Sequence, residues 1–169
     1  PQIDLLLGGD LLNQIITANF AARELSIPFL GLYGACSTMA ESLLLGSMLI
    51  DGGYAERVAC AATSHFCTAE RQYRFPLEMG GQTTPTAQRT VTGAGASLLV
   101  APGYAGSAQF EHIFATGGTI GRVVDLGITD ASNMGAAMAP AAADTLAAHL
   151  REKECSVTDY DVIVTGDLG

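Results

Sequence analysis

Positive charge is scarce in this chain: 8 lysines and arginines stand against 17 acidic residues, a net charge of −9 over 169 residues. That balance gives a polyanion nothing to hold, which excludes nucleic acid and acidic lipid as direct partners. Long apolar runs are missing too, none reaching the roughly 18 residues of a membrane-crossing helix. Asp4 and Asp10 interrupt the apolar start and no basic stretch precedes it, so no signal peptide is expected there. Cysteine is limited to Cys36, Cys60, Cys67 and Cys155, with neither a C-x-x-C pair nor a zinc spacing. Free thiols in a reducing compartment follow, and Cys60 and Cys67 read as core residues. An EF-hand loop is absent, and Gly93 and Gly95 are followed by neither Lys-Ser/Thr nor a helix, so they are not a phosphate loop. No metal and no cofactor are expected.

What the chain has in abundance is apolar residues: 49% of the sequence, with only 15% charged and a mean hydropathy of +0.31. One sizeable core fits this length. The start at Pro1, the stop after a strand-like run and the high apolarity lead us to expect a piece of a longer protein, with some surface meeting other parts or a second subunit.

Taken in order, residues 3–8 (IDLLLG) and 28–33 read as buried parallel strands, and 57–63 (RVACAAT) as a third. Helical spacing over 13–25 and 37–50 alternates with them, the pattern of right-handed crossovers in an α/β fold. The second helix carries Glu41 as its only charge, so it should be buried between layers. Cys36 stands at its mouth, where unpaired N–H groups favour an anion or lower a thiol's pKa.

Residues 64–90 are polar and hold Arg71, Arg74 and Arg89 against Glu70 and Glu78, a locally positive loop on an acidic chain. A loop of that length is usually functional. Arginine grips carboxylates in a fork, although pairing with Glu70 and Glu78 is the plainer alternative. His65 follows the third strand at its carboxyl end, where parallel sheets place ligands; it is a candidate lining residue or a satisfied structural histidine. Beyond the loop we expect a strand over 92–101 with glycines that admit a close neighbour, a strand pair over 108–126, and a helix in the second part of 133–153 with Pro140 in its first turn. A final buried strand is expected over 161–165. His112 and His149 read as structural or exposed.

The order strand, G-A-C-S-T (residues 34–38), apolar helix resembles the nucleophile turn of the thiolase and ketoacyl-synthase superfamily. T-G-A-G-A-S at 92–97 is similar to its glycine-rich strand, and the helix leading into D-Y-D-V-I-V resembles the run into its second-half active-site strand. A-E-R-Q-Y-R-F-P at 69–76, G-G-Q at 80–82 and T-V-T-G-A-G-A at 90–96 resemble more narrowly the stage V sporulation protein AD family. The resemblance implies a five-layered αβαβα fold of two similar halves. Residues 1–90 would be the end of the first, with 64–90 inserted, and 91–169 the start of the second.

In condensing enzymes of that superfamily a cysteine takes the acyl group and a histidine follows the last strand. Cys36 matches the first position, whereas Gly166 stands where the histidine is expected. The resemblance therefore implies a non-catalytic protein that binds dipicolinic acid (pyridine-2,6-dicarboxylate), alone or as its calcium chelate. Cys36, His65, Arg71 and Arg74 are the candidate ligand residues. It implies further a place at the spore inner membrane through partner proteins of the same sporulation operon, and a homodimer pairing near 57–63. The alternatives are an acyltransferase or condensing enzyme with Cys36 as nucleophile, and a purely structural subunit.

Overall fold

The computed structural model of the chain describes residues 2–72, 78, 85, 89–104, 113–130 and 133–166. Two compact units divide it, Pro1–Phe114 and Ala115–Gly169. The α/β class expected from the sequence is the class observed.

In the first unit, β1 (Leu5–Asp10), β2 (Phe29–Leu32), β3 (Arg57–Ser64) and β4 (Gly93–Val100) form one sheet in the order β2-β1-β3-β4. β1 runs parallel to both β2 and β3, and β4 is antiparallel to β3. The connections are α1 (Ile16–Leu25) and α2 (Thr38–Asp51), packed on opposite faces. Adjacent glycines of β1 establish this: an added Cβ at Gly8 would meet Ala18 of α1, and one at Gly9 would meet Thr38 of α2. Leu7, Val58 and Cys60 are fully buried and form the core, with Leu43, Leu49 and Leu99 packed against it. Asp4 and Arg57 tie the amino ends of β1 and β3 through a guanidinium–carboxylate bond of 2.7 Å.

Several expectations change. The stripe by which α2 enters the core is its small one, Thr38, Ser42 and Gly46 at i, i+4 and i+8; most of its leucines are half-buried and Met48 is exposed. An added Cβ at Gly46 would lie 3.1 Å from Cys60 Sγ, so close approach to the sheet selects small residues there. Part of the stretch taken as a loop is α3 (Phe66–Gln72), and Cys67 on it is exposed rather than core. β4 belongs to the sheet of the first unit, and its Gly93 and Gly95 meet no neighbour within 4 Å, in place of the close approach expected of them. β3 is paired on both sides, so a second copy meeting 57–63 would meet a face of the sheet and not an edge; among the described residues the edges are β2 and β4.

The second unit is built on α4 (Met134–Glu152), whose N-cap Asn133 accepts the Ala136 amide at 3.1 Å. This cap starts the helix well before Pro140, which lies inside it instead of in its first turn and leaves the Ala136 carbonyl without its usual partner. The described residues of the expected strand pair, 113–126, and those of the final strand, 161–165, form no strand. Val123 and Val164 are largely exposed at 94% and 85%, and among the described residues neither pairs with a strand. Residues 108–112, with His112, lie outside the described residues, as do Arg74 and the G-G-Q of 80–82.

Candidate functional site at the carboxyl end of the sheet

Parallel pairing brings the carboxyl ends of β1, β2 and β3 to one side. Gly9 is level with Leu32 and with Ala62, and Asp10 with Thr63. Cys36, beyond β2, and His65, beyond β3, therefore leave the same end of the sheet, on strands about 10 Å apart across β1.

Cys36 lies in a 3-10 turn, Ala35–Ser37, that opens directly into α2. Its thiol is exposed. Ala35 has φ of 49°, a left-handed conformation that a residue with a Cβ holds only against strain, and such positions cluster at functional sites. Three side-chain bonds hold the turn: Ser37 Oγ donates to Gly34 O at 2.8 Å, the buried Thr38 Oγ1 donates to Ala35 O at 2.9 Å, and the same Oγ1 accepts the Gly34 amide at 3.2 Å. The N-cap positions Gly34 and Ser37 supply no capping bond to the 3-10 turn or to α2. The Gly34 amide is taken by Thr38 Oγ1 and the Ser37 and Thr38 amides by backbone carbonyls, so what the mouth of α2 lacks beside the exposed thiol is an N-cap side chain.

His65 is exposed, and its carbonyl serves α3, accepting the Ala69 amide at 3.0 Å and Thr68 Oγ1 at 3.1 Å. Arg71 is exposed in the last turn of the same helix. The structure thus gathers Cys36, His65 and α3 at one rim without placing their side chains in contact, and Arg74 lies outside the described residues. Ser64 Oγ and Thr90 Oγ1, at the same rim, are buried hydroxyls without a hydrogen-bond partner among the described residues.

Four rim residues escaped the sequence reading. Asp10 is 1% exposed; its carboxylate accepts the Leu12 and Thr17 amides, each at 3.2 Å. It replaces the cap that Ile15, left-handed at φ of 47°, cannot give α1. An acid directly after a buried strand and a few residues before a helix start was the signal for it. Glu70 is buried and accepts the Thr90 amide at 2.6 Å, Thr92 Oγ1 accepts the Phe66 amide at 2.9 Å, and Gln72 bonds the loop after β1. These partners are many residues apart in sequence, so no local pattern announces them.

Cys60 is a core residue, as expected. Burial pushes its thiol up, with the Ser42 side chain acting the other way, and its Sγ donates to Ser42 O at 3.2 Å. In the second unit His149 is structural, bonded to Thr119 Oγ1 at 2.9 Å and to the Tyr160 hydroxyl at 2.7 Å. Gly166 is exposed there, and an added Cβ would meet nothing within 4 Å, so packing does not impose the glycine. Among the described residues no helix is long and apolar enough to cross a membrane.

Comparison with known proteins places these features. The family described as Stage V sporulation protein AD (SpoVAD) matches residues 1–169. The chain is 53% identical over 166 residues to stage V sporulation protein AD of Bacillus subtilis strain 168, covering 98% of this chain and 47% of that one. It thus spans about half the length of this curated relative. Among solved structures, 3-oxoacyl-[acyl-carrier-protein] synthase III from Aquifex aeolicus VF5 aligns with 60% of this chain and 32% of its own, at 18% identity and a TM-score of 0.46. Matched over its whole length, the chain belongs to the stage V sporulation protein AD family.

Proposed function

We propose that this chain is part of a non-catalytic, thiolase-like binding protein of sporulation and germination. It binds dipicolinic acid, alone or as its calcium chelate, and supports its uptake into spores. The observation that carries the reading is the uncapped entrance of α2 beside the exposed Cys36. Dipicolinate is a flat aromatic dianion; the positive end of a helix suits one of its carboxylates, and Arg71 on α3, at the same end of the sheet, offers a guanidinium to the other. The unpartnered hydroxyls of Ser64 and Thr90 are further hydrogen-bonding capacity at that rim. Gly166, in the place where the superfamily's histidine is expected, supplies neither donor nor proton acceptor and favours binding over condensation. Family membership supports a place in the spore. Peripheral association with the spore inner membrane through proteins of the same operon, and a homodimer, belong to the same proposal.

Calorimetry of the full-length protein with dipicolinate tests it. Binding in the micromolar to millimolar range, about −8 to −4 kcal/mol, is expected, weakened in Cys36→Ala and Arg71→Ala. No heat and no saturation with the intact protein would sink the proposal. The strained Ala35 before an exposed thiol favours a second reading, acyl transfer through Cys36. A covalent adduct on Cys36 after incubation with an acyl-thioester, read by mass spectrometry, would establish that reading instead.

A further inference from the structure

A helix of seven residues, as α3 is, does not hold together by itself. Phe66 N and Glu70 tie it to Thr92 and Thr90, on the approach to β4. Gln72 ties its other end to the loop leaving β1. The carboxamide Nε2 donates to Leu11 O at 2.7 Å while Oε1 accepts the Asn13 amide at 3.1 Å. It thus bonds the backbone on both sides of Leu12, as a residue of a neighbouring parallel strand would. The loop it grips is fixed from behind, because Leu11 N donates to Thr63 O at 3.0 Å and Asp10 takes the Leu12 and Thr17 amides.

We infer that Gln72 is a positioning residue: its carboxamide joins the exit of β1 to the helix that leaves β3, and so fixes the backbone from which Arg71, its neighbour, would meet a bound anion. This rests on the binding proposal above. A guanidinium on a loose helix must be ordered when the ligand arrives, which lowers affinity, whereas a clamped one is ordered beforehand.

Gln72→Met in the full-length protein keeps the length of the side chain and removes both bonds. The dissociation constant for dipicolinate, by calorimetry, should rise about fivefold to tenfold, the scale of one or two neutral hydrogen bonds. In an Arg71→Ala background the same change should weaken binding no further. Equal weakening in both backgrounds overturns the positioning role, and so does an unchanged constant with a lowered Tm. Amide exchange without ligand is the second readout: the Asn13 amide and those of α3 should accelerate together, about tenfold. Unchanged exchange overturns the clamp whether or not dipicolinate binds. Absence of binding by the wild-type protein overturns the binding proposal and the role of Arg71 with it, while accelerated exchange still supports the joint.

Discussion

The two compact units of this chain are held by different kinds of bond. In Pro1–Phe114 the order comes from backbone ladders between residues far apart in sequence, over a core of Leu7, Val58 and Cys60. In Ala115–Gly169 it comes from one helix, α4, and polar side-chain ties to it: Arg122 to Asp144, and His149 to both Thr119 and Tyr160. Changes at sterically closed positions of the first unit should therefore cost far more than the loss of any single tie in the second.

Gly9→Val should have the largest effect. Its Cβ would collide with the Leu32 carbonyl and come within 2.5 Å of Thr38 Cγ2, and the backbone partner cannot turn aside as a flexible side chain could. We expect a cost of about 3 kcal/mol, read as loss of amide protection in β1–β3 while α4 keeps its own. Equal loss in both units would mean that they unfold together and would break the comparison.

Thiol chemistry sharpens it next. At neutral pH a water-soluble alkylating reagent should modify the exposed Cys36 and Cys67 readily, and Cys60 only after denaturant is added. Because burial raises the folded-state pKa of Cys60, the stability linked to its protonated form is complete below the ordinary thiol pKa. It is lost as pH rises through the raised value. Cys60→Ala should flatten that alkaline slope, although the variant starts less stable.

Tyr160→Phe ranks lower. It removes the hydroxyl that meets His149 Nε2 at 2.7 Å and Cys155 Sγ at 3.4 Å. The loss should be visible as modestly faster exchange at the carboxyl end of α4, with the sheet unaffected.

The same contrast explains what was legible in the sequence. β1, β3 and α2 are written as apolar runs of the right length; β2 is as apolar in sequence, but at the sheet's edge its Leu30 is 49% exposed, not buried as expected. The stretch F-C-T-A-E-R-Q looked like loop because what makes it α3 lies elsewhere: Thr90, Thr92 and the backbone of Leu11 and Asn13. Cys36 and His65 could be placed at one end of the sheet because topology alone requires it. Asp10 left only a faint signal, because the helix it serves starts six residues on, at Ile16, behind an N-cap, Ile15, that is unable to cap. Alternation in 113–126 suggested strands, but alternation supplies only a face, and a strand also needs a neighbour to pair with.

The smallest effect, and the one that bears most directly on the second unit, belongs to the fork between Arg122 and Asp144. Arg122 Nε and Nη2 donate to the two carboxylate oxygens at 3.0 and 2.8 Å. The hydrogen bonds from Arg122 hold the Asp144 carboxyl below its usual range. A carboxylate whose folded pKa is depressed contributes above the ordinary aspartate pKa and loses that contribution as pH falls through the lowered value. Arg122 is largely exposed, so solvent and salt screen the pair. Acidification should therefore speed amide exchange near residue 144 modestly, with the midpoint below that of an ordinary aspartate. Arg122→Gln should return the midpoint to the ordinary range, and 1 M salt should move it part of the way. If neither change moves it, the fork is not what orders this face of α4, and the second unit rests on His149 and Tyr160 instead.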